Sequence, residues 1–209
     1  MSDASRDDGD LQDEPPAPLP RSPHLMRPDD TALLVVDAQE RLLAVIPGAE
    51  SVVWNCRRLI DAARILGVQA SAAEQNPEKL GGTAAVLADR LTGAHAKLDF
   101  SCGACGGIFA DWQAAGIHRV LVCGIETHVC VQQTALDLLA AGYQVYLAAD
   151  AVAARWPHDH EIALRRMDSA GVVITTTESA MFEWCVRAGT PQFRQISALA
   201  KERPPGGGR

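Results

Sequence analysis

Short apolar runs alternate with amphipathic stretches of helical periodicity through most of the chain, and this alternation constrains the fold more than any other feature. The runs Thr31–Val36 and Val120–Cys123 carry no polar alternation, which is typical of strands buried on both faces. Residues 50–66 and 159–170 are two of the amphipathic stretches that separate such runs. The pattern predicts βαβ units and a mostly parallel, Rossmann-like sheet in a three-layer α/β/α sandwich.

The two ends of the chain differ from its centre. Residues 1–28 are acidic and proline-rich with few apolar side chains, so we expect them to be disordered. Residues 203–209 are rich in proline and glycine, and we expect a flexible tail. A chain of 209 residues is long enough for one substantial core, so residues 29–202 are predicted to form a single domain.

Charge and composition exclude several classes of protein. The net charge is −7 and no basic stripe is present, which argues against a nucleic-acid partner. No apolar run approaches the length of a membrane span, and no secretory signal is evident. Six cysteines are scattered through predicted core elements, which favours reduced thiols and a cytoplasmic location. No phosphate-binding glycine motif follows the first strand.

Three chemically capable side chains come directly after predicted strands. Asp37 closes the first strand, Lys97 ends the segment 94–98, and Cys130 follows the strand Val120–Cys123. Ligands of parallel α/β sheets bind beyond the carboxyl ends of the strands, so we expect these residues to meet at one edge. An acid, a cation and a nucleophile form a workable set for acyl transfer.

The chain passes from strand into helix within a few residues around Cys130. The thiol should therefore lie in the first turn of a helix, where unpaired N–H groups carry a partial positive charge. We expect this position to lower the pKa of the thiol and to make Cys130 a nucleophile.

Three segments resemble the signature regions of the isochorismatase-like cysteine hydrolases. They are Val35-Val-Asp37-Ala-Gln39, Lys97-Leu-Asp-Phe-Ser101 and Gly124-Ile-Glu-Thr-His-Val-Cys130, and the resemblance covers about residues 30–200. The third segment is highly specific. The runs Glu74-Gln-Asn-Pro-Glu-Lys-Leu-Gly81 and Leu164-Arg-Arg-Met167 look most like the metal-free branch of that family.

The resemblance implies a catalytic triad of Asp37, Lys97 and Cys130. Asp37 takes the thiol proton, Lys97 holds the carboxylate and stabilises charge, and Cys130 attacks a carbonyl carbon. A cis peptide bond is implied between Ile125 and Glu126, with the backbone N–H groups of Glu126 and Cys130 forming an oxyanion hole. The implied reaction is hydrolysis of a small-molecule amide or related C–N bond through a thioester, without cofactor or metal. Dimers or tetramers are also implied.

The residues alone leave other interpretations open. Cys130 also fits an inert buried thiol, Lys97 fits a solvated lysine, and Asp37 with Glu40 fits a capping box. Four residues are suggested as lining of a substrate pocket: Gln39, Phe100, Glu126 and Thr127. Four apolar residues of the late helices fit either an oligomer interface or the core: Met181, Phe182, Trp184 and Phe193.

Metal binding is not expected. Related nicotinamidases hold a metal through an Asp-x-His pattern, but residues 70–85 contain no histidine. The pair His158 and His160 lies elsewhere and points in two directions on a helix. Cys102 and Cys105 are too few ligands for structural zinc, and we interpret them as packed thiols.

Two other functions remain open from the sequence. One is cleavage of a vinyl ether, as in an isochorismatase proper, in which carbon is protonated and the cysteine is idle. The other is a non-catalytic binding protein that retains the fold.

Overall fold

A parallel sheet of six strands forms the centre of the computed structural model, which describes residues 18–206. The strands are β1 Thr31–Val36, β2 Gln69–Gln75, β3 Ala94–Lys97, β4 Arg119–Ile125, β5 Gln144–Ala153 and β6 Val173–Thr175. The helices are α1 Glu40–Leu43, α2 Ala49–Leu66, α3 Pro77–Leu80, α4 Ala85–Ala88, α5 Gly106–Ala114, α6 Gln132–Ala140, α7 Pro157–Ala170, α8 Thr177–Cys185 and α9 Pro191–Ala200. A π-helical turn, Thr127–Val131, joins β4 to α6.

The strand order is β3-β2-β1-β4-β5-β6, with every pairing parallel. The chain builds outward from β1 through β2 to β3, and then returns to build outward from β4. The order therefore reverses between β1 and β4, and such a switch point opens a crevice at the carboxyl ends of the strands. The predicted α/β sandwich with a parallel sheet is confirmed.

The two faces of the sheet pack against separate hydrophobic cores. Leu33 and Val35 of β1 belong to the core covered by α2, α8 and α9. Leu34 and Val36 point the other way, into the core covered by α5, α6 and α7. All four side chains have no exposed surface, which is why β1 has no polar position to alternate with.

The segment before β1 packs against the fold. Arg21 donates to the carbonyl oxygen of Glu183, and the Met26 N–H donates to the Glu183 carboxylate at 2.9 Å. The Tyr146 hydroxyl donates to the carbonyl oxygen of His24 at 2.9 Å, and the Met26 side chain is fully buried. We call residues 21–27 the N-terminal strap. Its contacts are with α8 and with the amino ends of the strands.

The strap corrects part of the expected disorder. Residues 1–17 and 207–209 lie outside the described residues, so the expectation for them is not addressed. Residues 21–27 are ordered by the contacts above, and the folded region begins before the predicted boundary at residue 29. Composition missed this because one buried methionine and one well-placed arginine suffice to anchor a polar segment. In the described part of the chain, no helix is long and apolar enough to cross a membrane.

Candidate active site

Asp37, Lys97 and Cys130 converge at the carboxyl edge of the sheet. Asp37 follows β1, Lys97 is the last residue of β3, and Cys130 lies in the π-helical turn after β4. Lys97 Nζ lies 2.7 Å from Asp37 Oδ2, and neither side chain has exposed surface. Cys130 is also buried and retains 6% exposure.

The Lys97 ammonium is held by more acceptors than it has protons. It donates to Asp37 Oδ2 and Gln75 Oε1, each at 2.7 Å, and to the carbonyl oxygens of Phe100 at 3.0 Å and Asp99 at 3.3 Å. A lysine has three N–H donors. Burial alone would lower the pKa of Lys97, but the charge and hydrogen bond of Asp37 outweigh it, and the pKa is raised. Lys97 is therefore a fixed, protonated cation.

Asp37 has one paired and one orphaned oxygen. Oδ2 accepts from Lys97, whereas Oδ1 is buried and accepts no hydrogen bond from the described residues. Burial raises the pKa of Asp37, and this effect outweighs the opposing Lys97 charge and the polar contact of the Cys130 thiol. Its backbone has φ of 49°, an uncommon value for a residue other than glycine, and such outliers cluster at functional sites.

The capping-box interpretation of Asp37 is wrong. Helix α1 has Gln39 as its N-cap, with no side-chain cap hydrogen bond. Asp37 instead turns the chain into the crevice, with its carbonyl oxygen accepting from the Gln39 N–H at 2.7 Å. Its carboxylate is directed to Lys97 rather than to the helix.

The expected lowering of the thiol pKa is also wrong. The pKa of Cys130 is raised, first by burial and next by the charge of the neighbouring Asp37 carboxylate. These effects outweigh the start of the helix and the charge of Lys97. Cys130 consequently stays a thiol near neutral pH, and its thiolate is accessible only through proton transfer to a base.

The turn that carries Cys130 begins with a cis peptide bond between Ile125 and Glu126, as the resemblance implies. The N–H groups of Val129 and Val131 both donate to the Glu126 carbonyl oxygen, at 3.0 and 3.2 Å. Cys130 lies in this first turn, where N–H groups lack intrahelical partners. Its N–H and its sulfur therefore belong to the same open end of the helix.

Gln39 lies elsewhere than expected. It is fully buried, its Nε2 donates to the Gln75 carbonyl oxygen at 3.0 Å, and its Oε1 accepts from the Gln75 N–H at 2.7 Å. Both ends of the amide are thus committed to backbone, and Gln39 fixes the end of β2 instead of lining a pocket. Phe100 contributes its carbonyl oxygen to Lys97 and exposes 53% of its surface at the rim.

Glu126 and Thr127 also have structural partners. The Glu126 carboxylate accepts from the Arg155 N–H at 2.9 Å and from Arg155 Nε at 3.1 Å. Thr127 is fully buried, and its hydroxyl lies 2.9 Å from His160 Nδ1. Both contacts tie the turn to the start of α7.

Gln75 is the residue of the site that sequence reasoning missed. Its Oε1 accepts from Lys97 and lies 3.9 Å from Cys130 Sγ, which places it between cation and thiol. Its position offered a signal, because it is the last residue of β2 and parallel strands end at one edge. The apolar run that indicates this strand ends at Ala73, two residues before Gln75.

Among residues 18–206, no group of three His, Cys, Asp or Glu side chains is arranged to hold a metal. All six cysteines are free thiols. Cys102 is buried, which raises the pKa of its thiol to about 12, and its N–H donates to Thr134 Oγ1 at 2.9 Å. Cys102 and Cys105 are packed thiols near Lys97.

One cavity of the described chain lies away from this cluster. It measures about 620 Å³ and lies between α5 and α6, where Phe109 and Tyr143 line it. A smaller depression of about 520 Å³ borders the site, formed by residues 98–101 with Gln133 and Asp137. Buried charge and converging side chains, not cavity size, identify the candidate site.

The chain matches known proteins over most of its length. The Isochorismatase domain family matches residues 31–179. Isochorismatase domain-containing protein 2A of Mus musculus is 34% identical over 181 residues, covering 87% of this chain and 87% of the mouse protein. Isochorismatase domain-containing protein 1 of Danio rerio is 35% identical over 188 residues, covering 88% of this chain and 65% of the fish protein. The chain thus spans a little under two thirds of the fish protein.

A solved structure is similar in the same way. The MAR1 ribonuclease of Caenorhabditis elegans superimposes with a TM-score of 0.81 at 34% identity, covering 87% of this chain and 94% of that one. The fold and these matches define an α/β protein of the isochorismatase-like class. The chain belongs to the isochorismatase domain family.

Proposed function

We propose that this chain is a cysteine hydrolase that cleaves a small-molecule amide or related carbonyl C–N bond through a thioester on Cys130. The observation that carries the proposal is the fully buried ion pair of Asp37 and Lys97 beside the Cys130 thiol. A buried ion pair is costly to maintain, and one that adjoins a thiol at a sheet crevice favours a catalytic role.

The proposed reaction has two stages. Cys130 Sγ attacks the carbonyl carbon while its proton passes to Asp37, and the oxyanion binds the N–H groups of Glu126 and Cys130. The C–N bond then breaks, and Asp37 returns the proton to the leaving nitrogen. A water molecule attacks the thioester with Asp37 again as base, which releases the acid and restores the thiol. Lys97 keeps its proton throughout and stabilises the ionised carboxylate.

The test is a screen of small amides and ureas, with intact-mass detection of an acyl adduct on Cys130. Cys130→Ala should lose both adduct and turnover, because the attacking sulfur is removed. Cys105→Ala is the matched control, since Cys105 is equally exposed at 6% but lies outside the ion pair. Undiminished turnover in Cys130→Ala would remove the proposal.

Vinyl-ether cleavage is separated from this reaction by a second variant. If carbon is protonated by Asp37 and the thiol is idle, Asp37→Asn abolishes turnover and Cys130→Ala does not. In the thioester reaction both variants lose activity, and the loss of the base costs about 100- to 10,000-fold. A non-catalytic protein would show no difference among wild type and the two variants.

We propose a small molecule rather than RNA as substrate, although the similar worm protein is described as a ribonuclease. The net charge is −7. The cation of the site, Lys97, is buried and committed to four protein acceptors, so it offers no donor to a phosphate. Cleavage of single-stranded RNA that is lost in Cys130→Ala would contradict this choice.

We also propose that the chain assembles into dimers or tetramers and works in the cytoplasm. Of the four apolar residues suggested for an interface, Met181 and Trp184 are core residues, and Phe182 exposes 38% of its surface. Leu98 and Trp156 are more exposed, at 74% and 65%, and both follow strands at the carboxyl edge. The six free thiols support a reducing compartment.

A further inference from the structure

The side-chain amide oxygen of Gln75 can accept a second hydrogen bond. Oε1 accepts from Lys97 Nζ at 2.7 Å, as close as Asp37 Oδ2 and closer than the carbonyl oxygens of Phe100 and Asp99. An amide oxygen has two lone pairs, so the bond to Lys97 leaves one of them for another donor. Without Gln75, three acceptors still remain for the three protons of Lys97.

The orientation of the Gln75 amide is fixed at both ends. Its Nε2 donates to the Leu98 carbonyl oxygen at 2.7 Å, which can only accept, and its Oε1 faces Lys97 Nζ, which can only donate. Exchanging the two ends would break both contacts. The Gln39 amide holds the Gln75 backbone at the N–H and the carbonyl oxygen. Gln75 therefore presents an oxygen, not an N–H, to the interior of the site.

That oxygen faces the sulfur. Oε1 lies 3.9 Å from Cys130 Sγ. When Sγ is bonded to an acyl carbon, the atom leaving that carbon is one bond further from sulfur and can lie within the ordinary 2.7–3.2 Å hydrogen-bond distance of Oε1. A leaving nitrogen that carries hydrogen can donate to Oε1, whereas an ester oxygen cannot.

We propose that Gln75 is a specificity-determining residue whose Oε1 accepts the N–H of the scissile amide and so favours amides over esters. This inference rests on the proposed function and narrows it to substrates with hydrogen on the leaving nitrogen. The Sγ–C bond forms as the thiol proton moves to Asp37, and the C–N bond breaks as Asp37 returns that proton to nitrogen. Gln75 exchanges neither protons nor electrons and only accepts a hydrogen bond.

The experiment compares two acetyl donors that differ in the leaving atom: p-nitroacetanilide, which carries an N–H, and p-nitrophenyl acetate, which does not. Acetylation of Cys130 is followed by intact mass in wild type, Gln75→Met and Gln75→Leu. One neutral hydrogen bond corresponds to about a tenfold change. We expect the anilide rate to fall about tenfold in both variants, with the ester rate within about twofold. Gln113→Met, an exposed glutamine of α5, is the matched control and should change neither rate.

The ratio of the two rates separates specificity from damage to the fold, because a misfolded variant loses both. If neither variant folds, wild type alone still tests the idea. Methylating the anilide nitrogen removes its N–H and should slow acetylation by a similar factor. An unchanged ratio in the variants, no anilide reaction beside a normal ester reaction, or indifference to methylation would overturn the role of Gln75. Absence of Cys130 acetylation by the ester in wild type would instead overturn the proposed function.

Discussion

The two oxygens of Asp37 have different environments, and this difference determines what the residue can do. Oδ2 is bound to Lys97, while Oδ1 is buried without a partner among the described residues. Leaving a buried acceptor unsatisfied costs about 1–3 kcal/mol. A proton arriving from Cys130 would satisfy Oδ1, so the proton acceptor of the proposed reaction is already in place.

The pKa of Asp37 predicts where the rate of the reaction falls at acidic pH. A base works only when deprotonated, and burial raises this pKa from 3.8. Acetylation of Cys130 by p-nitrophenyl acetate should therefore decline, as pH falls, at a higher pH than an ordinary aspartate would give. Because the pKa of the Cys130 thiol is also raised, the rate should be flat through neutral pH.

The measurement is the acetylation rate at closely spaced values from about pH 4 to about pH 9. Asp37→Asn should remove this decline at acidic pH together with most of the rate. Asp89→Asn, an exposed aspartate after α4, should keep the wild-type profile. A rate that climbs steadily across neutral pH would mean that the thiol ionises without help from Asp37.

The positions of the site residues could be predicted from the sequence, but their hydrogen-bond partners could not. Asp37, Lys97 and Cys130 lie at one edge of the sheet, as expected, because parallel strands finish at one edge. The sequence did not indicate the partners of buried polar groups. The amide of Gln39 bonds residue 75, and the hydroxyl of Thr127 meets His160, each across more than 30 positions in the chain. Local sequence carries no record of such pairings, so the structural roles of both residues could not be predicted.

At the scale of elements, Gly124 is required where β4 passes the end of β1. Its φ is 111°, and a Cβ there would overlap the Val36 carbonyl oxygen and lie 2.7 Å from the Val36 nitrogen. These are backbone atoms, so the clash can be relieved only by moving a strand. Gly124→Ala should lower the free energy of unfolding by at least about 2 kcal/mol.

Urea denaturation measures this loss. Gly171→Ala is the matched control, because Gly171 has a similar φ of 104° but nothing within 4 Å of its virtual Cβ. The control incurs the conformational strain without the clash, about 1 kcal/mol. Equal losses in the two variants would show that contact with β1 is unimportant.

Elements were predicted well where apolar periodicity is continuous and poorly where it is interrupted. The sequence pattern indicates a strand over residues 144–148, whereas β5 continues to Ala153, past the polar Asp150. That carboxylate accepts from the N–H and the hydroxyl of Thr177, at 2.7 and 2.9 Å, at the start of α8. The four-residue helices α1 and α3 are too short to have a periodic pattern at all.

For the whole molecule, the N-terminal strap and the candidate site lie at opposite edges of the sheet. The strap is anchored by Met26, which is fully buried. Met26→Ala should lower the free energy of unfolding by about 2–4 kcal/mol, as other large-to-small core changes do. The acetylation rate of Cys130 in the folded protein should not change, because no strap contact reaches the carboxyl ends of the strands.

Denaturation and acetylation are measured on the same preparations. Leu19→Ala is the control, since Leu19 is 93% exposed and its loss should cost less than about 0.5 kcal/mol. If Met26→Ala and Leu19→Ala had the same free energy of unfolding, the strap would contribute nothing to stability. The stable domain would then begin at the predicted boundary, residue 29.

Because Lys97 is enclosed, its chemical labelling can report local unfolding around the candidate site. The sequence has three lysines, and Lys79 and Lys201 are exposed whereas the Lys97 side chain has no accessible surface. Amine-reactive footprinting reagents should label the first two at once and spare the third. Modification of Lys97 would then accumulate only as fast as this region opens by local unfolding. The same reagent would time the local unfolding of the region that holds the sulfur.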